Sequence, residues 1–277
     1  MSMIRYPEFA GSFYPGDRVD LEEMLTYLFE RAARKKIKNT RAVLSPHAGY
    51  IYSGRIAASS YMQFKDENIK TIIILGPSHH YAFHGASIWS KGSWVTPLGE
   101  NAIDEEIANT LLNSCEHFTD NIAFHKKEHS IEVQLPFIQF LFGESVKIVP
   151  IVFGFPRAGS LGAIGKALAL FLQREDVAFA ISSDLYHGYN YDEALKYDSY
   201  TRELITGMDA EKFYQAIIEE EAMACGAMGI TAFLIAAKGL NLKPFFIDYT
   251  NSAEVTGDYT GYVVGYLSMA FTKGEQK

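Results

Sequence analysis

Histidines follow the carboxyl ends of three strand-like segments, and imidazole can both bind metals and exchange protons near neutral pH. His47 follows "RAVLSP", His79 follows "TIIILGPS", and His187 comes just after "VAFAISSD". Ligands of open α/β sheets bind beyond the carboxyl ends of the strands. A lone loop histidine is more often a surface residue, but three at such positions favour one shared site. Because neutral imidazole suits iron, copper, zinc and nickel, the pattern indicates a divalent transition metal.

The loop after the second of these strands contains three histidines, and they are not equivalent. His79 comes first after the Gly-Pro-Ser turn and is the predicted ligand. Side chains alternate along an extended chain, so His80 should point the other way and be structural or support the site from outside. His84 stands further from the strand end, and we interpret it as a loop residue.

Two further polar residues lie near the predicted strand ends. Asp184, three residues before His187, could bind a metal or orient the imidazole through a hydrogen bond; the alternative is a helix cap. Cys225 precedes the small residues of "GAMGITAFLIAA", which look like a helix entry. A thiol there is expected to have a lowered pKa and could be a ligand, nucleophile or redox group; the alternative is packing. We interpret Cys115 as a packing residue.

The stretch "FHKKEHSIEVQLPF" holds four residues, His125, Glu128, His129 and Glu132, that could be ligands at helical spacing. Ser130 looks like a helix N-cap, which would place His129 before the helix. We expect Glu128 and His129 to support the site or face a substrate.

Composition and motifs exclude several classes of function. The formal net charge of −8 gives no global attraction to nucleic acid or to anionic membranes, and the basic run "RAARKKIKNTR" is typical of a solvated helix end. No apolar run approaches the roughly 20 residues of a membrane span, and we expect no signal peptide. With two cysteines, a reducing cytoplasm is the expected location. No G-x-S-x-G, P-loop or G-x-G-x-x-G motif occurs at a suitable position.

Strand-like and helix-like segments alternate along the chain, which predicts an α/β fold with a mainly parallel central sheet and helices on both faces. We read residues 1–277 as a single domain. The predicted strands are 41–46, 71–78, 86–90, 147–154, 177–184, 244–250 and 261–271. The predicted helices are 19–36, 54–65, 102–114, 130–142, 159–173, 191–206, 209–219 and 227–238.

The chain resembles the Memo (mediator of ErbB2-driven cell motility) family over nearly its whole length. The resemblance rests on "RYPEFAGSFYP", "LSPHAGYIYSG", "ILGPSHH", "EHSIEVQLPF", "SSDLYHG" and "CGAMGI". It implies a fold similar to the class III extradiol dioxygenases of the LigB type, which use Fe(II). It also implies that His47, His79, His187, Asp184 and Cys225 line one cleft. Three histidines with an aspartate and a cysteine differ from the two histidines and glutamate of those dioxygenases.

The resemblance implies a metal-dependent oxidoreductase acting on an unknown small molecule, with Fe(II) as the first choice of metal and copper or zinc as alternatives. We expect His47, His79, His187 and Cys225 to bind the metal. His129, Asp184 and Cys225 are the candidate catalytic residues, with Tyr50, His80, Glu128 and Asp184 around the substrate.

Two other functions fit the same cleft, and the sequence leaves them open. One is a binding module for a peptide or small ligand, with Tyr50, Tyr52, Tyr81 and Tyr186 lining a groove. The other is a copper or iron redox protein centred on Cys225. A homo-oligomer is compatible with every reading; nucleic-acid and membrane partners are not expected.

Overall fold

Four central strands lie parallel and side by side, as the alternating pattern predicts. In the computed structural model, which describes residues 3–35 and 37–274, the strands are β1 (Ile4–Arg5), β2 (Thr40–Ser45), β3 (Thr71–Pro77), β4 (Ala86–Ile88), β5 (Ser93–Thr96), β6 (Gly99–Ala102), β7 (Phe118–Thr119), β8 (Lys147–Phe153), β9 (Val177–Ser182), β10 (His187–Gly188), β11 (Leu242–Asn251) and β12 (Val263–Lys273). The larger sheet has the order β10-β12-β2-β9-β3-β8-β4-β7, with β11 paired to β12. Its parallel centre is β2-β9-β3-β8.

Antiparallel pairs border the parallel centre on both sides, so the sheet as a whole is mixed. β12 runs antiparallel to β2 and to β11, and β4 runs antiparallel to β8. A parallel pair needs a crossover of a dozen or more residues. The connection between β11 and β12 carries only a one-turn helix, so the chain returns in the opposite direction.

The helices cover both faces of the larger sheet. They are α1 (Arg18–Glu30), α2 (Tyr50–Tyr61), α3 (Glu105–Ser114), α4 (Ala123–Lys126), α5 (His129–Glu132), α6 (Leu135–Phe142), α7 (Ala158–Leu172), α8 (Tyr191–Thr206), α9 (Ala210–Ile218), α10 (Ala227–Ala237) and α11 (Ser252–Thr256). Helices α2 and α5 contact the central strands, as do α7 and α10, which also pack against each other. Every residue of β2, β3 and β9 is buried, as expected for strands covered on both faces.

The predicted helix 130–142 is two helices, α5 and α6, rather than one. Pro136 lies in the first turn of α6, where a proline fits because the missing N–H needs no partner there. Glu128, not Ser130, caps α5 by accepting a hydrogen bond from the Ser130 N–H. The prediction that Ser130 is the cap was therefore wrong, and His129 is the first helical residue.

The small sheet of β1, β5 and β6 was not predicted. β1 pairs with β5 in parallel, and β5 pairs with β6 as a hairpin. Strand β6 includes Ala102, the first residue of the predicted helix 102–114. The observed helix α3 begins only at Glu105. The predicted helix 19–36 ends at Glu30, and its position 36 lies outside the described residues. No described helix is long and apolar enough to cross a membrane.

Candidate metal centre

The parallel strands β2, β9 and β3 end at one edge of the sheet and deliver their polar residues to the same place. Ser45 of β2 lies opposite Ser182 of β9, and β3 is the next strand along. His47, Asp184 and His79 follow these three ends. The expectation that the loops after these strands converge is therefore met in the structure.

Three imidazoles form the centre of this edge: His47, His79 and His129. One ring nitrogen from each lies within 4.8 Å of the others, so the group could hold a metal ion. The ring of His79 stacks on that of His129 with centroids 4.4 Å apart, and His47 stands edge-on to both. His47 is buried, His129 is half-buried, and His79 is the most exposed, so the group opens toward solvent on the His79 side.

The tautomer of His47 is set by a buried hydrogen-bond network. Its Nδ1 lies 2.7 Å from the Ser182 hydroxyl oxygen, and that hydroxyl donates its one proton to the Ser130 carbonyl at 2.6 Å. The same oxygen also accepts from Gln134 Nε2 at 3.0 Å. Ser182 can therefore only accept from His47, which places the proton on Nδ1 and leaves Nε2 with a free lone pair.

Glu128 fixes His79 in the same way. Its carboxylate accepts from the His79 backbone N–H at 2.6 Å and from Nδ1 at 2.8 Å. Burial alone would raise the pKa of Glu128, but the hydrogen bonds and charge of His79, with the Ser130 N–H, lower it to about 2. An ionised carboxylate bound to Nδ1–H leaves Nε2 free to bind a metal, an arrangement common around metal-binding histidines.

His129 is positioned mainly by aromatic packing. Its ring lies 4.7 Å from that of Phe13 and 5.6 Å from that of Phe9, centroid to centroid. Burial, followed by the charge of His79, lowers the pKa of His129 to about 4. Burial also lowers the pKa of His47 well below its ordinary value, with smaller effects of His129, His79 and His187. Both rings are therefore neutral at pH 7, the state that binds metals.

The segment that carries Phe9 and Phe13, residues 5–14, is tied down at Glu132; we call it the N-terminal strap. Fully buried Glu132 forms an ion pair with Arg5 at 2.6 Å and accepts from the Glu8 N–H, the Phe9 N–H and the Tyr14 hydroxyl. Arg5 also donates to the Glu128 carbonyl at 2.9 Å. The N-terminal strap is thus bound to α5 at Glu128, just before His129, and at Glu132, just after it. Glu132 is an anchor for the strap rather than a member of the three-histidine group.

Asp184 lies beside the three histidines without being among them. Its Oδ1 accepts from the His47 N–H at 2.8 Å, and its Oδ2 lies 4.0 Å from His47 Nε2. Burial raises the pKa of Asp184 to about 7, although the N–H groups of His47 and Ala48 and the charge of His79 act in the opposite direction. Near neutral pH this carboxyl group can therefore hold or release a proton.

Cys225 contacts His47 directly, because its Sγ lies 3.1 Å from His47 Nε2. With the His47 proton on Nδ1, the thiol is the donor in this contact. The expected lowering of its pKa was wrong for the protein without metal. Burial, reinforced by the Asp184 charge, raises the pKa of Cys225 well above its ordinary value, and outweighs its place before α10.

His187 lies near the three histidines, but among the described residues it does not fall within their group. Its Nδ1 donates to the Leu185 carbonyl at 2.9 Å, which leaves Nε2 free. It is close enough for its charge to lower the pKa of His47. Burial lowers its own pKa, and the charge of His79 adds to this effect. The predicted third histidine is thus outside the ligand group, and His129 takes the third place in it.

Several other predicted residues have structural roles or lie apart. Tyr50 is buried against Tyr14 and Phe137 and donates its hydroxyl to the Val133 carbonyl at 2.7 Å, so it offers no free group to a substrate. His80 is exposed beside the centre. His84 contacts the Ser160 hydroxyl, and buried His125 packs edge-on against two tryptophans.

Of the four tyrosines proposed for a groove, two are open to solvent and two, Tyr50 and Tyr186, are buried. Tyr52 and Tyr81 are exposed, whereas Tyr186 is buried and donates to Glu193 at 3.1 Å. The structure therefore does not bring the four tyrosines into one groove.

The sequence reasoning missed Ser182, Gln134, Phe9 and Phe13. Alternation along β9 places Ser182 and Asp184 on the same side of an extended chain, so Ser182 could have been found from that signal. The two phenylalanines lie within "RYPEFAGSFYP", but an aromatic residue in a loop gives no sign of the ring that it will contact. Gln134 has no recognisable signal.

Sequence comparison places the chain among known proteins. The model of the family described as "Memo-like protein" matches residues 5–270. The chain belongs to the Memo family. Proteins called "MEMO1 family protein" are 36% identical in Sulfolobus acidocaldarius, over 97% of this chain and 99% of that protein, and 36% identical in Aquifex aeolicus, over 97% and 99%.

A solved structure shares the fold of this Memo-family chain at much lower identity. The crystal structure of uncharacterized protein JW3007 from Escherichia coli K12 aligns with a TM-score of 0.57 and 9% identity, over 83% of this chain and 99% of that chain. Similarity at this level concerns the fold alone. It supports the α/β architecture but gives no information about the chemistry of the site.

Proposed function

We propose that this Memo-family protein binds a divalent transition metal through His47, His79 and His129 and uses it to oxidise a small molecule. The observation that carries the proposal is the pair of fixed tautomers. Ser182 and Glu128 hold the protons of His47 and His79 on Nδ1, which leaves an unprotonated Nε2 on each ring. The Nε2 of His47 faces the Cys225 thiol, whose hydrogen bond a bound metal would replace. Neutral imidazole suits Fe(II), Cu or Zn, and we take Fe(II) as the first candidate because the resemblance to the Memo family implies a fold similar to the extradiol dioxygenases.

A bound metal of this kind would act as a Lewis acid or as a carrier of O₂ chemistry. Three protein ligands leave open positions for a substrate, since catalytic metal sites typically keep one. The residues around the group would then complete the site. Asp184, with its pKa near 7, would accept or return a substrate proton, and His187, which is close to the group, would contact the substrate.

The proposal is tested by metal titration followed by oxygen uptake. Metal-free protein is titrated with Co(II), whose visible absorption reports coordination, and then with Fe(II) without air. We expect one ion per chain, and affinity at least a hundredfold weaker in each of His47→Ala, His79→Ala and His129→Ala. His84→Ala is the matched control, because His84 lies outside the group. Oxygen uptake by the Fe(II) protein with a panel of small aromatic diols then tests turnover. Unchanged metal affinity in all three variants would contradict the proposed metal centre.

A second candidate is a copper redox protein, and the contact between Cys225 and His47 favours it. Sulfur 3.1 Å from an imidazole nitrogen could join the ligand set as thiolate, which softens a site toward Cu(I). Copper binding by Cys225→Ser separates the two candidates. A loss of Cu(I) affinity with Fe(II) affinity retained supports the redox protein, and unchanged Cu(I) affinity removes the cysteine from the site.

A further inference from the structure

A small pocket opens at the carboxyl ends of β3 and β8, beside the start of α10. Its volume is about 130 Å³, and Pro77, Phe153, Ile217, Ala224 and Met228 are among the residues that line it. Phe155, which is largely exposed, stands at the same pocket. These side chains are apolar, and the pocket lies at the edge of the sheet where the three histidines also lie.

The polar groups around this pocket are mostly engaged elsewhere. The Ser78 hydroxyl donates to the Tyr81 carbonyl at 2.9 Å and accepts from the Tyr81 N–H at 3.1 Å. The N–H groups of Gly154 and Phe155 donate to the carbonyls of Gly85 and Phe83. A polar ligand group would lose its hydration here without finding a side-chain partner, which is unfavourable. The pocket therefore suits an apolar occupant.

Two residues connect the pocket with the candidate metal centre. Cys225 lines the pocket, and its Sγ also lies 3.1 Å from His47 Nε2. Ser78 lines the pocket as well, and it immediately precedes His79 in the chain. Cys225 thus belongs both to the pocket and to the surroundings of the three histidines, none of which lines the pocket itself.

We propose that this pocket binds the apolar end of the molecule that reacts at the three-histidine centre. A cavity of roughly 150 Å³ accommodates benzene, so a pocket of about 130 Å³ takes an alkyl or aryl group of about five or six carbon atoms. The inference rests on the proposed metal centre. It adds the substrate class: a small molecule with a metal-binding polar end and a short apolar end.

A homologous series of carboxylates tests the size and polarity of the pocket. Co(II)-loaded protein is titrated with acetate, butanoate, hexanoate and octanoate, and each dissociation constant is read from the Co(II) spectrum. Burying one methylene group is worth about a fourfold gain in affinity. We expect affinity to rise by about this factor per methylene up to hexanoate and then to level off. A series with equal affinities overturns the inference.

Filling the pocket should abolish this gradient. A Cβ atom on Gly229 would lie 3.4 Å from Leu75 Cβ and 3.8 Å from Phe153 Cδ2, which are ordinary contacts. Because Gly229 lines the pocket, Gly229→Leu is designed to fill it. Gly162→Leu is the matched control, because Gly162 is also helical and a Cβ there meets nothing within 4 Å. We expect hexanoate to bind Gly229→Leu no better than acetate, and the control to keep the gradient. A full gradient in Gly229→Leu overturns the inference.

The design separates this inference from the proposed function. If wild-type protein binds no Co(II), the metal centre itself fails and the inference falls with it. If Co(II) binds and the carboxylate series is flat, the centre stands and only the pocket assignment is wrong. Ala224→Leu provides a second filled pocket, should Gly229→Leu fail to fold, and it must reduce the gradient as well.

Discussion

Glu128 accepts two hydrogen bonds from His79, one from the backbone N–H at 2.6 Å and one from Nδ1 at 2.8 Å. The same carboxylate accepts from the Ser130 N–H at 2.9 Å and so begins α5, the helix on which His129 lies. One buried side chain therefore orients His79 and fixes the helix that carries His129. Two members of the three-histidine group depend on it, although Glu128 is not itself in that group.

Glu128→Gln should weaken metal binding by about 10- to 100-fold, the usual effect of losing a partner of a metal-binding histidine. The amide oxygen can replace one carboxylate oxygen as an acceptor, but the side chain carries no charge, and its NH₂ group would face the other His79 donor. Isothermal titration with Zn(II) measures the change. Glu203→Gln, an exposed change on α8, is the control and should bind as wild type does. Wild-type Zn(II) affinity in Glu128→Gln would show that His79 binds metal without a charged hydrogen-bond partner.

Ser182→Ala should reduce both stability and metal affinity. The hydroxyl accepts from His47 Nδ1 and Gln134 Nε2 and donates to the Ser130 carbonyl, so its loss leaves three buried polar groups short of a partner. Each such group costs about 1–3 kcal/mol. We expect a decrease of at least about 2 kcal/mol in the free energy of unfolding in urea. The buried hydroxyl of Ser60, which donates to the Leu44 carbonyl, provides a comparison, since Ser60→Ala should leave metal affinity unchanged.

The rule that ligands bind beyond the carboxyl ends of parallel strands predicted the position of the site. It did not predict all three histidines of the group. His47 and His79 follow parallel strands of one sheet, and such residues must emerge at the same edge whatever the loops do. His129 follows no strand. It reaches the group because Glu128 caps α5 and because α5 lies against β3, and neither contact can be read from the chain order.

Burial explains why other predictions about the cleft failed. Cys225 does precede α10, but its thiol is enclosed beside Asp184, and the loss of hydration outweighs the favourable helix end. Tyr50 stands in a motif next to His47, yet its position in α2 turns the ring into the core. Sequence position gives the strand or helix to which a side chain belongs, whereas the neighbours that decide its pKa come from other elements.

Gly76→Ala should weaken metal binding from outside the centre. Gly76 is a buried residue of β3, and a Cβ atom there would lie 2.6 Å from Ser130 Oγ and 2.8 Å from Ile131 Cγ1. The added methyl group must therefore push α5, and with it His129, away from the strand. We expect at least a tenfold loss of Co(II) affinity. Gly159→Ala is the control, because a Cβ atom there meets nothing within 4 Å, and it should bind Co(II) as the wild type does. Wild-type Co(II) affinity in Gly76→Ala would mean that the site tolerates the shift of α5.

Breaking the ion pair between Arg5 and Glu132 should be far more costly than breaking a surface pair. Arg5→Met leaves the Glu132 carboxylate buried without its cation, and such losses cost about 3–5 kcal/mol. The pair of Arg18 and Glu22 has side chains that are 64% and 47% exposed, so Arg18→Met should cost less than about 1 kcal/mol. Urea unfolding measures both values.

The same substitution should also affect the metal, because the N-terminal strap carries Phe9 and Phe13 against His129. We expect the Co(II) spectrum of Arg5→Met to broaden and the affinity to fall, while Arg18→Met keeps both. A destabilised Arg5→Met protein with wild-type Co(II) affinity would show that the strap serves stability alone.

Asp184 should make the stability of the metal-free protein depend on pH. Its pKa is raised to about 7 in the folded chain, against about 3.9 for an unperturbed aspartate, so the folded state binds the extra proton. The stabilising effect of that proton is fully present below about pH 4 and is lost as the pH rises to 7. Each unit of pKa difference corresponds to about 1.4 kcal/mol, which predicts a total loss of a few kcal/mol.

Asp184→Asn isolates this effect from the other groups of the cleft. The lowered pKa values of His47 and His129 act in the opposite direction, since they cost stability at acid pH, but both residues are present in the two proteins. The difference in unfolding free energy between wild type and Asp184→Asn, measured in urea with a chelator from pH 4 to 8, should therefore move in favour of the variant as the pH rises. This difference should stop changing above about pH 7, where Asp184 is ionised in the folded protein as well. Parallel curves for the two proteins would mean that Asp184 is ionised throughout, which would remove it as a proton carrier in the proposed reaction.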